Sequence, residues 1–375
     1  MSQGLFIGLM SGTSLDGADA VLVTFSPSGH LEVITHAYTP MPKNLREEFF
    51  SLNQPTENEL HRSAIAANQL VVQVYAPVIQ DLLHQARIPA QQITAIGAHG
   101  QTVRHQPHLP RHNAYTIQLN SPALLAELTD ITVISDFRNR DIAAGGQGAP
   151  LVCGFHAEQF FQPDKTVAVL NLGGIANLTL LFPNQDILGF DCGPANALMD
   201  EWCWQHTGKP YDNNGAWAST GAPIPELLQI MLEEPFFSRP LPKSTGRDLF
   251  NMDWVNQHLQ TLPEHLKTAP QNIQATLLEL TAQTIAQSLQ KHAKNASLLL
   301  VCGGGAYNTT LISRLQQLLA PLPIQSTAVY GLPPLQVEAA AFAWLAKQCT
   351  YRQPANVPQV TGARGPRILG CIYQA

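Results

Sequence analysis

The loop Gly12-Thr13-Ser14-Leu15-Asp16-Gly17-Ala18-Asp19 gathers hydroxyls, carboxylates and glycines into one short stretch. Glycine lets a ligand approach the backbone, peptide N–H groups and hydroxyls can cradle phosphate oxygens, and a carboxylate can hold a hydrated cation. Taken alone, an ordinary Gly/Asp hairpin turn explains it equally well. A second loop, Asn171 to Asn177, carries Gly173 and Gly174, and a third, Gly303-Gly304-Gly305, lies between an apolar run and a helical pattern. The third suits a flat base or a phosphate, or is simply a close strand-to-helix turn. Asp191 reads as following the strand Ile187-Leu188-Gly189-Phe190, beside Gly193-Pro194 and before a helix. A carboxylate there can take a proton from an attacking hydroxyl or water, and capping the helix is the equal alternative. His99 and Gln101 lie just past the run Ile93 to Ala98, and Arg138 just past Ile131 to Ile134. Polar groups at strand ends typify the ligand crevices of α/β proteins.

Other chemistries fit less well. Gly12-Thr13-Ser14 matches a hydrolase nucleophile elbow only at Gly-x-Ser, with Asp16 where the second glycine belongs and a strand-to-strand setting. His105, His108 and His112 have roughly metal-like spacing, but Pro107 and Pro110 break any helix that would align them. There is neither a G-x-x-x-x-G-K-[ST] phosphate loop nor a G-x-G-x-x-G opening a helix after the first strand. Lys243-Ser244-Thr245-Gly246-Arg247 offers two cations to an anion and is read as a solvated loop.

The elements that must position these residues follow from periodicity. Phe6 to Leu9 and Ala20 to Phe25 read as buried strands flanking the first loop, with Leu31 to Ala37 as a third. Thr166 to Phe182 repeats the strand–turn–strand unit near mid-chain. That repetition predicts a duplicated domain, with two phosphate-type turns facing each other as a nucleotide clamp. Glu57 to Gln85 is helical in pattern, with Leu60, Ala64, Ala67, Val71 and Val74 on one face and Pro77 kinking or dividing it. Helices are also expected at Ser121-Pro122 onward, Ala149 to Phe161, Asn196 to Trp204, Gln274 to Gln290, Thr309 to Leu319 and Gln336 to Lys347.

At 375 residues, two domains are the natural expectation, and a 45% hydrophobic content supplies ample core. A net charge of −6 without a basic run argues against nucleic-acid binding. No apolar stretch approaches the ~18 residues of a membrane span, and the start lacks the pattern of a signal peptide. The six scattered cysteines read as reduced thiols of a cytoplasmic protein.

Four segments in this order, GLMSGTSLDGADA from Gly8, NLGGIANLT from Asn171, FDCGPANALMD from Phe190 and CGGGAYN from Cys302, resemble the anhydro-N-acetylmuramic acid kinase family. AHGQTVRH from Ala98 and PKSTGRDLF from Pro242 fit it too, and the similarity runs to Thr361-Gly362-Ala363. The resemblance implies an α/β fold of two duplicated actin-like (ribonuclease H-like) domains around an ATP-binding cleft. Residues 1–162 completed by 338–375 would form one domain, and 163–337 the other. It implies Gly12 to Asp19 and Gly173-Gly174 as phosphate loops, Gly303 to Gly305 at the adenosine, and Asp191 as catalytic base. Glu338 would lie near a hydrated Mg²⁺. His99, Gln101 and Arg138 are candidates for the sugar pocket, Arg138 suiting the lactyl carboxylate. The implied reaction opens the 1,6-anhydro bridge with water and transfers the γ-phosphate of ATP to O6, in peptidoglycan recycling, by a cytoplasmic homodimer. A kinase of a free sugar hydroxyl and an ATP-gated, actin-type filament protein are the competing readings of the same fold.

Overall fold

The computed structural model describes residues 4–12, 14–27, 29–110, 112–263 and 269–375. They divide into two compact units: the chain up to Phe160 together with Tyr330–Ala375, and Phe161–Val329. Among the described residues no helix is long and apolar enough to cross a membrane.

In the first unit, β1 (Leu5–Met10) pairs antiparallel with β2 (Gly17–Phe25), and β2 with β3 (Leu31–Pro40). On the other side of β1 lie β4 (Ile93–Ala98), parallel to it, and, after the separate hairpin of β5 (Gln101–Gln106) and β6 (Tyr115–Leu119), the short β7 (Val133–Ser135), parallel to β4. The C-terminal strand Cys371–Tyr373 closes that edge antiparallel to β7. Phe6, Ile7 and Leu9 are all buried, as expected of a central strand covered on both faces.

The Val337–Thr350 helix lies directly on β1 and β4, and glycine makes that possible. Gly8 and Gly97 are register partners in the two strands. A Cβ on Gly8 would come within 1.8 Å of the Ala339 carbonyl oxygen, and one on Gly97 within 2.1 Å of the Phe342 carbonyl oxygen. The helix answers with small residues, and Ala339, Ala340, Ala343 and Ala346 are fully buried.

The helical stretch expected over Glu57 to Gln85 is three pieces: a helix Glu59–Leu70, a π-helical turn Val71–Tyr75 and a helix Ala76–Ala86. Pro77 sits in the first turn of the last piece, where its missing N–H is tolerated. Ala67, Val71 and Val74 are buried as expected, whereas Leu60 is 88% exposed and Ala64 is exposed as well. The early turns are held instead by Arg62, which donates to both carboxylate oxygens of Glu48 at 2.7 and 2.8 Å.

In the second unit β8 (Val167–Leu172), β9 (Ile175–Leu181) and β10 (Ile187–Pro194) form an antiparallel meander. β11 (Leu298–Cys302) is parallel to β8, and β12 (Ile324–Ser326) parallel to β11. The order β10-β9-β8-β11-β12 repeats β3-β2-β1-β4-β7 with the same strand directions, so the duplication is a property of the fold. The chain therefore has a duplicated α/β architecture. The Pro270–His292 helix packs this sheet on more than its expected apolar stripe: beside Leu278, Ala282, Ile285 and Leu289, Gln274, Thr276, Thr281 and Thr284 are buried too. Further helices cover its polar side.

Replacing Gly97 by Ala should destabilise the native state by about 1–3 kcal/mol, the usual cost of overpacking. Denaturant unfolding of the two forms measures it; unchanged stability would mean that the helix is free to move off the sheet.

Candidate active site

The loop after β1 is a compact turn. Leu15 N–H donates to the Gly12 carbonyl at 3.3 Å, and Leu15 adopts φ 56° with its side chain buried. Ser14 Oγ donates to Asp16 Oδ1 at 2.6 Å, while the Asp16 carbonyl accepts from Met41 N–H and the Tyr38 hydroxyl at 2.9 and 2.8 Å. Thr13 lies outside the described residues. Gly17, Ala18 and Asp19 belong to β2 rather than to the loop. A Cβ on Gly17 would meet the Thr39 carbonyl oxygen at 2.4 Å, so this glycine serves the β2–β3 contact. Asp19 Oδ1 bonds His36 Nε2 at 2.8 Å. Burial, with Asp16 and Asp19 nearby, pushes the Tyr38 hydroxyl up to about 12 and keeps it a donor.

His99 and Arg138 come together. Chain pairing places His99 just past β4, with its N–H on the Leu9 carbonyl at 3.1 Å. Arg138 Nε and Nη2 approach His99 Nε2 at 3.0 and 2.9 Å, and Arg138 Nη1 donates to the Gly148 carbonyl at 2.8 Å. Burial, and then the Arg138 charge, hold His99 well below the usual imidazole range. The ring is therefore neutral, and because Nε2 accepts, Nδ1 carries the proton. Gln101 turns to the first loop, donating from Nε2 to the Gly12 carbonyl at 3.2 Å. His99 Nδ1, Gln101 Oε1 and His105 Nε2 are buried without a hydrogen-bond partner. The sequence presents His105 only as a candidate metal ligand. In the fold, burial and then Arg138 and His108 lower it to about 3. Glu338 lies in the first turn of the Val337–Thr350 helix, partly exposed.

In the second unit Gly173-Gly174 form the two-residue turn between β8 and β9. The Gly174 carbonyl accepts from Ala195 and Ala197 N–H at 3.0 and 3.1 Å, and the Gly173 carbonyl from Asn196 N–H at 3.0 Å. The turn thus takes up the first amides of the Asn196–Thr207 helix. Gly303 and Gly305 press on the same hairpin. A Cβ on Gly303, whose φ is +79°, would meet Asn171 Oδ1 at 2.4 Å, and one on Gly305 would meet Leu172 Cβ at 2.7 Å. Around Gly304 there is more room, with Asn196 Nδ2 at 3.9 Å as the nearest atom.

Asp191 does not follow a strand that ends at Phe190. β10 continues through it to Pro194, because pairing with β9 persists across a bulge between Asp191 and Gly193. Bulges of this kind re-aim a side chain. Nor does Asp191 cap the next helix, whose N-cap is Ala195. Its Oδ2 accepts from Thr245 N–H at 2.8 Å, and its own N–H donates to the Lys243 carbonyl at 3.2 Å. Across the ladders Asp191 faces Asn177, Asn177 faces Asn171, and Asn171 faces Cys302. Register partners share a face of the sheet, so these residues make one polar row. Asn177 Oδ1 is buried without a hydrogen-bond partner.

The segment expected to be a solvated loop is largely buried: Lys243 is 6% and Ser244 7% exposed. Lys243 Nζ donates to the Phe237 carbonyl at 3.1 Å and lies 4.7 Å from the centre of the Phe236 ring. Those partners, Phe236 and Phe237, lie close to Lys243 in the chain, but a loop has no periodicity from which their contact with the ammonium could be read. Burial lowers the Lys243 ammonium pKa, and Asp191 opposes the shift. Arg247 is the partly exposed member, 3.6 Å from Glu201.

The buried histidines set a sign for acid stability. His105 is lowered to about 3 in the native state, so below the unfolded value near 6.5 the unfolded chain binds the extra proton. Stability should then fall on acidification by about 1.4 kcal/mol per pH unit for this residue between about pH 6 and pH 4. His105→Gln should reduce the slope of unfolding free energy against pH by about one proton; an unaltered slope would show that His105 titrates normally.

A profile of the family described as anhydro-N-acetylmuramic acid kinase matches residues 4–375. The anhydro-N-acetylmuramic acid kinase of Albidiferax ferrireducens is 53% identical over 391 residues, covering 99% of each chain. That of Bordetella petrii is 56% identical over 372 residues, covering 99% of this chain and 96% of its own. Among solved structures, an activator of 2-hydroxyisocaproyl-CoA dehydratase from Clostridium difficile aligns with a TM-score of 0.45 at 13% identity, covering 94% of this chain and 99% of that one. With profile and relatives agreeing from end to end, the chain belongs to the anhydro-N-acetylmuramic acid kinase family.

Proposed function

We propose that this kinase opens 1,6-anhydro-N-acetylmuramic acid with water and phosphorylates O6 from ATP, with Asp191 as the general base. Family membership over the whole chain supports the reaction, which serves peptidoglycan recycling. The observation that carries the role of Asp191 is its setting: a carboxylate on a strand bulge, oriented by the Thr245 amide and flanked by Asn177 in a polar row. In this reading Asp191 accepts a proton from the water as its oxygen bonds to the anomeric carbon. The C1–O6 bond breaks, and O6 bonds to the γ-phosphorus as ADP leaves. The products are N-acetylmuramic acid 6-phosphate and ADP.

Phosphoryl transfer asks the protein mainly for position and for neutralisation of charge. Gly12, Thr13, Ser14, Leu15 and Asp16, with Gly17, Ala18 and Asp19 at the start of β2, are assigned to the phosphates. Gly173 and Gly174 are assigned with them, and Gly303, Gly304 and Gly305 to the adenosine. The room around Gly304 supports the last assignment. Mg²⁺ retains much of its water and needs only one or two carboxylates beside phosphate oxygens. Hard oxygen donors at Asp16 and Glu338 fit that demand; among the described residues no group of three His, Cys, Asp or Glu side chains is gathered as a metal site. Glu338 would hold the hydrated ion, which neutralises phosphate charge.

His99, Gln101 and Arg138 are assigned to the sugar. Unpaired buried polar atoms each cost about 1–3 kcal/mol, and three of them cluster on His99, Gln101 and His105. A ligand rich in hydroxyl and amide groups is the kind of partner that would satisfy them, and Arg138 can add a charge-assisted bond to a lactyl carboxylate. The same reading has the enzyme working in the cytoplasm as a homodimer.

Asp191→Asn keeps an oxygen for Thr245 but loses the base. It should retain ATP and sugar binding while turnover falls by about 10²–10⁴-fold. Turnover near the parent value would reassign the base. Reaction in ¹⁸O-water, followed by product mass spectrometry, should place one label at C1. An unlabelled product would mean transfer to a free hydroxyl without ring opening by water.

A further inference from the structure

Asp141 has no part in the roles assigned above, yet it is a fully buried carboxylate at the centre of a hydrogen-bond network. It lies in the short helix Asn139–Ala143. Oδ1 accepts from Asn356 Nδ2 at 2.7 Å and Thr361 Oγ1 at 2.8 Å, and Oδ2 accepts from Gly148 N–H at 2.8 Å. The chain from Gly145 to Gly148 wraps around it. Gly146 N–H donates to the Asp141 carbonyl at 2.9 Å, and a Cβ on Gly146 would lie 2.2 Å from Asp141 Oδ2. Gly148 has φ +67° and no room for a Cβ, with Ile142 Cγ1 at 2.9 Å, so its backbone is confined on both sides.

Gly148 is also the residue whose carbonyl holds Arg138. An unbroken series of hydrogen bonds therefore runs from Asn356 and Thr361 through Asp141 and Gly148 to Arg138 and His99. Asn356 cannot readily turn its amide over, because its Oδ1 already accepts from Arg367 N–H at 2.6 Å. Only an acceptor at both oxygens of residue 141 suits this set of donors.

We infer that Asp141 is a positioning residue for sugar recognition: it sets the Gly145–Gly148 loop so that the Gly148 carbonyl holds Arg138 against His99. The inference rests on the proposed assignment of Arg138 and His99 to the sugar. Asp141→Asn places an amide donor against one of three existing donors, and the loop or the C-terminal segment must yield.

The test is steady-state kinetics of the full-length enzyme with both substrates varied. Asp141→Asn should raise KM for 1,6-anhydro-N-acetylmuramic acid by about tenfold or more, as expected for a misplaced charged hydrogen bond, with KM for ATP within about twofold. In an Arg138→Ala background the same substitution should add less than about twofold, because both changes act through one side chain. A structural staple alone would depress activity alike for both substrates and in both backgrounds, and that result overturns the inference. Should Asp141→Asn fail to fold, Thr361→Val, with Thr361→Ser expected to restore the parent KM, carries the same comparison. If Arg138→Ala raises the sugar KM and neither variant does, the inference alone falls; if Arg138→Ala leaves the sugar KM unchanged, the pocket assignment falls and takes the inference with it.

Discussion

Backbone-to-backbone packing at Gly8 and Gly97 governs the first unit. Ordinary strand side chains would hold a covering helix off the sheet; here the Ala339 and Phe342 carbonyl oxygens come within 1.8 and 2.1 Å of where the two Cβ atoms would be. The consequences spread along the Val337–Thr350 helix. Phe342 comes to 4.7 Å from His99 and 5.5 Å from Phe137, ring centre to ring centre, and fills the space beside the residue before Arg138. The apolar wall also deepens the desolvation that keeps His99 neutral. The helix opens on Glu338, and the chain beyond it supplies Asn356 and Thr361 to Asp141 before pairing with β7. One close approach thus fixes where the chain's last segment contributes chemistry.

The two units share strand order but use it differently. In the first, the β1–β2 connection is long enough to carry hydroxyls and a carboxylate, held by Tyr38 and Met41 from across the sheet. In the second, the corresponding connection is a bare Gly173-Gly174 turn whose carbonyls are committed to the following helix. The carboxylate appears one strand later, on β10, where a bulge breaks the alternation and the 243–245 segment closes over it. Burying a lysine near that carboxylate is tolerable because Phe236, Phe237 and the Asp191 charge together replace water around the ammonium. Removing either charge would leave the other less well compensated.

Local pattern was enough for much of the architecture. Apolar runs bounded by Gly and Asp located β1, β2, β8 and β9, the repetition of the hairpin announced the duplication, and the Thr309–Leu319 helix follows from its periodicity. Periodicity misled where burial was decided by remote elements. Leu60 looks like core in a helical wheel but is exposed to solvent, and the polar positions of the Pro270–His292 helix are buried because other helices pack against it.

What the sequence determined by itself was family and reaction class, because its motifs retain their residues and order from Gly8 to Thr361, and an α/β duplication, because hydrophobic alternation and turn chemistry are local properties. What only the tertiary structure decided was which polar groups meet. Asp191 meets Thr245 and Lys243, Arg138 meets His99, and Asp141 meets Thr361, across separations that no spacing rule spans. Buried polar atoms must find partners once water is excluded, and the identity of each partner depends on how strands and loops stack in space.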